Sequence, residues 1–261
     1  MLSRITPVIL TWNEAPNLAR TLERLRWAAD VVVVDSGSTD DTAAIAARYP
    51  NVRVLTRPFD THAQQWTYAT TQTGVSTEWV LALDADYVLS EGLVEELRTL
   101  QPAPGDAAYR AHFTYCVDGR PLRATLYPPV TVLFRAARAR YRQDGHTQRV
   151  EVDGAVRELR HVIFHDDRKP LSQWVAAQER YADLEAGKLA RADAGALRWT
   201  GRLRRARVLA PFAMLAYCLF GKGLILDGWP GVFYSFQRAF AELLLSLHLI
   251  RRALDERSRH R

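Results

Sequence analysis

Apolar residues in the first hundred positions form short continuous runs, separated by segments in which they recur every three or four residues. The continuous runs predict strands at 5–11, 31–35, 52–55 and 79–83. The spaced segments predict helices that open at Pro16, cover Thr42–Arg48 and lie around Ala63–Gln72. Runs without a polar residue are typical of strands buried on both faces. The alternation therefore predicts an α/β fold with a Rossmann-like, mostly parallel sheet and flanking helices.

The pattern beyond residue 100 is less regular. Several prolines break residues 100–130 into loops and short strands, and further strands are predicted at Val130–Phe134 and Gln148–Val152. Residues 171–192 have the apolar spacing of a helix. We therefore predict a domain at 1–195, with halves at 1–100 and 101–195, and a helical C-terminal segment at 196–261.

Two turns rich in carboxylates follow apolar strands. Asp35-Ser36-Gly37-Ser38-Thr39-Asp40 ends the second predicted strand, and Asp84-Ala85-Asp86 ends the fourth. Ligands of open α/β sheets bind beyond the carboxyl ends of the strands. Carboxylates at that edge suit ribose hydroxyls, base N–H groups and a hard divalent cation, Mg²⁺ or Mn²⁺, that carries a diphosphate. We interpret Asp35 as a ligand contact rather than a helix cap, and Asp40 as a cap.

Composition limits the partners and the class of protein. The chain has 261 residues, of which 48% are hydrophobic and 25% charged, so it should bury a core rather than stay disordered. Its formal charge of +6 suits an anionic partner. No basic stripe is interleaved with aromatic residues, so we expect no nucleic-acid partner. Cys116 and Cys218 stand in apolar or aromatic surroundings and are predicted to be buried and reduced.

The C-terminal part combines arginines with apolar segments. Five arginines at 198–207 precede the uncharged run Val208–Phe220, and Val232–Ile250 is mostly apolar. Thirteen residues span about 20 Å as a helix, less than a hydrocarbon core of about 30 Å. We expect both helices to lie on an anionic membrane surface. The alternative is a buried helical hairpin, for example at a dimer interface. The first apolar run is too short for a signal peptide, so we expect a cytoplasmic protein, peripheral on the inner membrane.

Together the motifs resemble those of the family 2 glycosyltransferases, which have the GT-A fold. The residues that carry the resemblance are Thr11-Trp12-Asn13-Glu14, Asp35-Ser36-Gly37-Ser38-Thr39-Asp40 and Leu83-Asp84-Ala85-Asp86. Through weaker matches, the chain also resembles the lipopolysaccharide-core beta-1,4-glucosyltransferase-like branch of this family. They are Gln65, Tyr68 and Ala69 on one helix, His165 before another, and Leu226-Asp227-Gly228-Trp229-Pro230-Gly231 near the C-terminus.

The resemblance implies a role for each matched residue. Thr11 and Glu14 would contact the nucleoside, and Asp35 its base. Asp84 would hold the ribose or a metal-bound water. Asp86 would ligate the metal, and His165 would be a second metal or diphosphate ligand. The resemblance also implies that Gln65 is a residue of the donor site.

The chain departs from the branch at two places. Thr67 stands where the branch often has asparagine, and no glutamate follows His146, where the branch often has a candidate base. An inverting transferase needs a base near the acceptor hydroxyl unless the acceptor is a phosphate. Asp144 is the first substitute candidate and Asp166 the second. Arg149 could bind the diphosphate or pair with Glu151 on a strand.

These features predict a metal-dependent inverting glycosyltransferase. It would move a sugar from a nucleotide-diphosphate donor to a lipid-linked or cell-envelope glycan. A polyprenyl-phosphate glycosyltransferase would share the donor half and accept the sugar on a phosphate. A nucleotidyltransferase is disfavoured, because Thr11-Trp12-Asn13-Glu14 stands where its glycine-rich loop would be. The non-enzymatic alternative is a scaffold with an inactive donor site.

Overall fold

The chain forms two compact units in a computed structural model. The structure describes residues 1–144, 147–191, 201, 203–204, 206 and 208–259. The first unit comprises Met1–Pro121 and Thr125–Lys169, and the second comprises Leu122–Ala124 and Pro170–Arg261. The boundary predicted at residue 195 therefore falls inside the second unit. The helix predicted at 171–192 belongs to that unit because it packs against the last helix of the chain.

Thirteen strands and seven α-helices lie within the described residues. The strands are β1 (Ile5–Thr11), β2 (Val31–Asp35), β3 (Val52–Thr56), β4 (Trp79–Asp84), β5 (Tyr87–Leu89), β6 (Asp106–Ala111), β7 (Phe113–Val117), β8 (Arg120–Pro121), β9 (Val130–Arg135), β10 (Ala139–Asp144), β11 (Thr147–Val152), β12 (Ala155–Glu158) and β13 (Ile163–His165). The helices are α1 (Leu18–Glu23), α2 (Thr42–Ala46), α3 (His62–Thr71), α4 (Glu91–Thr99), α5 (Leu171–Arg191), α6 (Leu209–Ala216) and α7 (Trp229–Arg259).

The first unit is built on a seven-stranded sheet with the order β12-β6-β9-β4-β1-β2-β3. Strands β3, β2, β1 and β4 are parallel, and β9 runs antiparallel to both β4 and β6. The chain moves outward from β1 to β3 and then returns to place β4 on the other side of β1. Ligands bind at such a switch point, beyond the carboxyl ends of the strands. The predicted mostly parallel α/β sheet is confirmed.

Both faces of the parallel strands β1, β2 and β4 are buried, whereas the edge strand β3 has no fully buried residue. Val31 and Val33 pack into a cluster with Leu22 of α1 and Leu93 of α4. Val32 and Val34 pack into a second cluster, which contains Trp66 of α3. All four valines of β2 are fully buried, and each contributes about 1.5–3 kcal/mol of transfer free energy. This burial on two faces explains why the strand contains no polar residue before Asp35.

Smaller sheets complete the first unit. Strands β5, β13, β7 and β8 form a second sheet, and β10 and β11 form a two-stranded hairpin. Strand β13 has only three residues, too few to produce a sequence pattern. Helix α4 does have a local signal, since the Ser90 side chain accepts a hydrogen bond from Leu93 N at its first turn. Helix α1 begins at Leu18, and Pro16 lies in the turn before it rather than in its first turn.

The second unit is helical. Helix α5 packs against α7 through Ala182, Ala186, Leu189, Leu245 and Leu249. The run predicted as one helix at Val208–Phe220 is α6 followed by a π-helical turn, Tyr217–Gly221. Helix α7 extends the predicted Val232–Ile250 at both ends. Within the described part of the chain, no helix combines the length and apolarity needed to cross a membrane. Cys116 and Cys218 are free and buried, as predicted.

Candidate active site

Three side chains of the predicted donor site lie at one edge of the large sheet. Thr11 at the end of β1 is the register partner of Asp35 at the end of β2. On the other side of β1, Asp84 at the end of β4 is paired with Leu10. Parallel strands place their carboxyl ends at the same edge, so residues far apart in sequence meet there. The sequence-based expectation that the two acidic turns share an edge is confirmed.

The Asp35 carboxylate organises the turn that follows it. Its oxygens accept hydrogen bonds from Thr11 Oγ1 at 2.9 Å, Gly37 N at 3.0 Å and Ser38 N at 2.8 Å. Ser38 Oγ donates a fourth. Gly37 has a φ of +88°, a conformation that disfavours side chains with a Cβ. Asp35 therefore stabilises its own turn, whatever ligand it also contacts.

The turns after β1 and β2 are tied to each other. Asn13, with a left-handed φ of +53°, accepts a hydrogen bond from Thr39 N through its side chain. Ser38 Oγ accepts one from Asn13 N. Asp40 accepts one from Thr42 N, the first residue of α2, and one from Ala15 N. Asp40 thus contacts the start of the helix, which agrees with its interpretation as a cap.

Gln65 is buried between helix α3 and the turn after β2. Its Nε2 donates to Ser36 Oγ at 3.0 Å and to the carbonyl of Arg57 at 3.1 Å, and its Oε1 accepts from the Arg57 guanidinium. The side chain has no exposed surface. This geometry favours a role in positioning the turn over the predicted contact with the donor.

Asp86 and His165 meet across 79 positions of sequence. Strand β13 pairs antiparallel with β5 and places His165 opposite Tyr87, next to Asp86. His165 Nε2 lies 3.0 Å from Asp86 Oδ2. The structure therefore brings together the two side chains that were predicted as metal ligands, although their role as ligands stays a prediction.

Aromatic rings hold the imidazole of His165. The rings of Tyr115 and Tyr127 lie 4.9 and 4.8 Å from it, and those of Tyr87 and Phe113 lie 5.3 and 6.5 Å away. His165 Nδ1 is buried and has no hydrogen-bond partner among the residues that the structure describes. Packing rather than a hydrogen bond to Nδ1 therefore sets the ring orientation, and the sequence contained no signal for this arrangement.

The titration behaviour of the second turn follows from burial and charge. Desolvation and the neighbouring Asp86 raise the pKa of Asp84 to about 6. Burial would also raise the pKa of Asp86, but the charge and hydrogen bond of His165 lower it. The pKa of His165 is raised, because Asp86 outweighs the opposing effect of burial. The lowered pKa of Asp86 and the raised pKa of His165 both favour the charged pair over the neutral one.

Asp84→Asn should raise the melting temperature near pH 8 and leave it unchanged near pH 4, in the presence of a chelator. Asp84 has a folded-state pKa above its ordinary 3.8, so its ionised form destabilises the fold. The penalty grows as pH rises from about 4 through 6 and is complete above that. After allowance for partial exposure we expect a gain of roughly 1–2 kcal/mol, or about 2–6 °C. Differential scanning fluorimetry across pH checks this, and an equal shift at both pH values would contradict it.

Glu14 lies in an ion pair that the sequence did not predict. Its Oε1 is 2.5 Å from Lys169 Nζ, and its Oε2 accepts a hydrogen bond from Asn17 Nδ2 at 2.9 Å. Burial raises the pKa of Glu14 to about 7 despite the nearby ammonium group. Burial acts to lower the pKa of Lys169, but Glu14 and Asp167 raise it above its ordinary value. The lysine therefore stays protonated, and together with Arg20 and Arg168 it brings positive charge to the acids around it.

Asp166 is enclosed by donors. Its carboxylate accepts hydrogen bonds from Gly119 N at 3.0 Å and from Arg168 Nη2 at 2.8 Å, and it also pairs with Arg20. Its exposed fraction is 5%. A general base needs a lone pair directed at the acceptor hydroxyl. The geometry thus favours a positioning role for Asp166 over the predicted role of base.

The other acceptor-side predictions lie on the hairpin of β10 and β11. The backbone of Asp144 ends β10, but its side chain lies outside the described residues, as do Gly145 and His146. Arg149 on β11 is exposed and is the register partner of Arg142. Glu151 is paired with Arg142 at 3.6 Å. The roles predicted for Asp144 and Arg149 stay predictions.

The donor set suits a cation that arrives with a diphosphate. One carboxylate and one imidazole fit Mn²⁺, and Mg²⁺ in nucleotide sites commonly has one or two protein carboxylates and takes its other ligands from phosphates and water. Among the described residues, no group of three or more histidine, cysteine or acidic side chains could hold a metal by itself. The residues present therefore fit a cation shared with substrate rather than a resident structural metal.

Comparison with known proteins finds relatives of this chain among glycosyltransferases. A segment of 112 residues is 33% identical to an uncharacterized glycosyltransferase of Rickettsia felis and covers 42% of this chain and 38% of that protein. Over 103 residues the chain is 35% identical to the lipopolysaccharide core biosynthesis glycosyltransferase LpsC of Rhizobium meliloti, with coverage of 38% and 37%. The matched region is thus less than two fifths of either relative.

Solved structures are more distant. The crystal structure of S. aureus TarS 1-349 in complex with UDP-GlcNAc is 14% identical, with coverage of 97% of this chain and 92% of that one and a TM-score of 0.49. The family model described as "Glycosyl transferase family 2" matches residues 6–155, which extend from the second residue of β1 to the first residue of β12. Because this match covers more than half of the chain, the protein belongs to glycosyl transferase family 2.

Proposed function

We propose that the protein transfers a sugar from a nucleotide-diphosphate donor to a lipid-linked or cell-envelope glycan, with inversion at the anomeric carbon and with Mg²⁺ or Mn²⁺. The observation that carries this proposal is the contact between Asp86 and His165, 3.0 Å apart beside Asp84. This pair would supply a cation site two residues from Asp84. Asp84 lies at the same edge of the sheet as Thr11 and Asp35.

Each side chain has a task in this scheme. Thr11 and Asp35 bind the nucleoside at the carboxyl ends of β1 and β2, and Asp84 accepts a ribose hydroxyl or a water. Asp86 and His165 would hold the cation. When bound, the cation offsets the negative charge that develops on the leaving nucleoside diphosphate. Lys169 adds a protonated ammonium group near the same acids, which favours the binding of a diphosphate to this cluster.

The proposal for the acceptor depends on whether the acceptor is a hydroxyl or a phosphate. If the acceptor is a hydroxyl, Asp144 is the favoured base, because Asp166 is held by Gly119, Arg20 and Arg168. If the acceptor is a polyprenyl phosphate, no base is required, since the nucleophile is already ionised. The similarity to LpsC of Rhizobium meliloti supports an envelope glycan as the acceptor.

Donor turnover by the purified full-length chain tests the proposal. We expect one of a panel of uridine-, guanosine- and thymidine-diphosphate sugars to release its nucleoside diphosphate in the presence of Mn²⁺ or Mg²⁺, and a chelator to stop the release. Mass spectrometry of lipid-linked glycans from cells with the active chain and with an Asp86 variant then identifies the acceptor. Binding of nucleotide without turnover of any donor would favour the scaffold alternative instead.

A further inference from the structure

The second unit exposes an unusual amount of apolar surface around the start of α7. Trp229 is 84% exposed, Phe212 70%, and Phe220 and Leu226 69% each. Phe233 and Phe236, also exposed, follow Trp229 at spacings that place all three on one face of α7. We call these six residues, Phe212, Phe220, Leu226, Trp229, Phe233 and Phe236, the aromatic face. Soluble monomers rarely leave so many large apolar side chains in water.

A compact turn carries Leu226, one residue of the aromatic face. Gly223 and Gly228 have left-handed φ values of +67° and +65°, and between them Leu224–Asp227 forms one 3₁₀ turn. Leu224 is fully buried, whereas Ile225 and Leu226 are exposed. The turn therefore anchors one apolar side chain in the unit and presents the next two to solvent.

The motif Leu226-Asp227-Gly228-Trp229-Pro230-Gly231 explains how the turn is held. The Asp227 carboxylate accepts hydrogen bonds from Arg123 N at 3.1 Å and Arg123 Nε at 2.8 Å. A Cβ at Gly231 would lie 1.9 Å from the carbonyl oxygen of Leu224, so only glycine allows α7 to start this close to the turn. Asp227, Gly228 and Gly231 thus maintain the turn, together with the backbone of Leu226, whereas the side chains of Leu226 and Trp229 are exposed.

In the sequence around this face, basic residues outnumber acidic ones. From residue 208 to 237 the chain has only two charged residues, Lys222 and Asp227, and Asp227 is neutralised by Arg123. In the sequence, five arginines and no acidic residue occupy 198–207, directly before α6. Of these, Arg204 pairs with buried Glu242, and the other four lie outside the described residues.

We propose that the aromatic face lies in the interfacial layer of an anionic membrane, with Leu226 and Trp229 as its most deeply inserted side chains. Tryptophan and phenylalanine beside arginines are typical of helices that lie on a membrane surface. A second copy of the chain fits less well, because the formal charge of +6 opposes association of two copies and favours an anionic surface. This inference does not depend on the proposed transfer reaction.

Flotation of the full-length protein with vesicles tests the inference. The wild type should float with vesicles of phosphatidylcholine mixed with phosphatidylglycerol and should bind vesicles of phosphatidylcholine alone more weakly. Salt at high concentration should release part of the bound protein because it screens the arginines, and detergent should release all of it. The double variant Leu226→Ser with Trp229→Ser should partition at least about tenfold more weakly.

A matched double variant controls for loss of apolar surface elsewhere. Leu171→Ser with Leu184→Ser removes two side chains of 54% and 53% exposure from α5 in the same unit, and it should bind like the wild type. Far-UV circular dichroism and melting curves establish that each variant is folded. If the Leu226 and Trp229 variant does not fold, Phe212→Ser replaces it and should weaken binding in the same direction.

Two results would overturn the inference. The first is a contrary flotation result. Either the folded Leu226 and Trp229 variant binds anionic vesicles as strongly as the wild type, or the wild type does not bind them. The second is a discrete wild-type dimer without detergent that becomes a monomer when Trp229 is replaced by serine. That result would identify the aromatic face as a subunit interface, and light scattering after size-exclusion chromatography measures it.

Discussion

Asp86→Asn should lower donor turnover by at least about 100-fold, because it removes a charged ligand from the proposed cation site. Asparagine keeps the size of the side chain and an oxygen within reach of His165, which lies 3.0 Å from Asp86 in the structure. We therefore expect the fold to be retained, with only a small change in melting temperature. Asp86→Ala should have the same effect on turnover, since it removes the same ligand.

Cation dependence separates a ligand from a structural residue. The concentration of Mn²⁺ required for residual turnover should rise in both Asp86 variants, and the affinity for nucleoside diphosphate without metal should change little. Asp153→Asn is a matched control, because Asp153 is an exposed carboxylate of the same unit. Turnover near the wild-type rate in Asp86→Ala, with the metal still required, would disprove the assignment.

Asp35→Ala should weaken the binding of nucleoside diphosphate by about tenfold or more even in the absence of metal, because the proposed partner of Asp35 is the base or the ribose. The structure adds a second expectation. The alanine variant leaves the amides of Gly37 and Ser38 without their acceptor, which should cost about 2–4 kcal/mol of stability. Isothermal titration well below the melting temperature therefore has to accompany a melting curve.

Ser38→Ala distinguishes the two roles of Asp35. It removes the hydroxyl that donates to the Asp35 carboxylate but leaves the carboxylate itself in place. We expect this variant to lose some stability and to bind nucleoside diphosphate within a few-fold of the wild type. If Asp35→Ala instead keeps full affinity and shows only a lower melting temperature, Asp35 is a structural residue of the turn and not a ligand contact.

Local sequence patterns were sufficient for the nucleotide half of the fold. Apolar runs predicted β1, β2 and β4, since a strand buried on both faces requires apolar residues at successive positions. The strand predicted at 52–55 is the edge strand β3, which Arg53 interrupts and which is not buried. Val31–Val34 shows this requirement directly, with neighbouring valines packed on opposite sides of the sheet. The acidic turns were also predictable, because the residue that follows a buried strand is the first that can meet a ligand.

The acceptor half was predicted less well, for a physical reason. Strands β5 and β13 contain three residues each and exist because they pair with each other, not because of their own propensity. The sequence pattern predicted that helix α5 ends the first domain, but the buried residues of this helix contact α7. Such decisions depend on partners that are distant in sequence.

The sequence by itself therefore determined the positions of the first four strands along the chain, the two acidic turns and the family. Only the tertiary structure decided which side chains meet: Asp86 with His165, Glu14 with Lys169, and Asp166 with Gly119 and Arg20. It also showed that Gln65 is buried and that Leu226 and Trp229 are exposed. Strand propensity and turn chemistry act between neighbours in the chain, whereas burial and charge pairing depend on residues that only folding brings together.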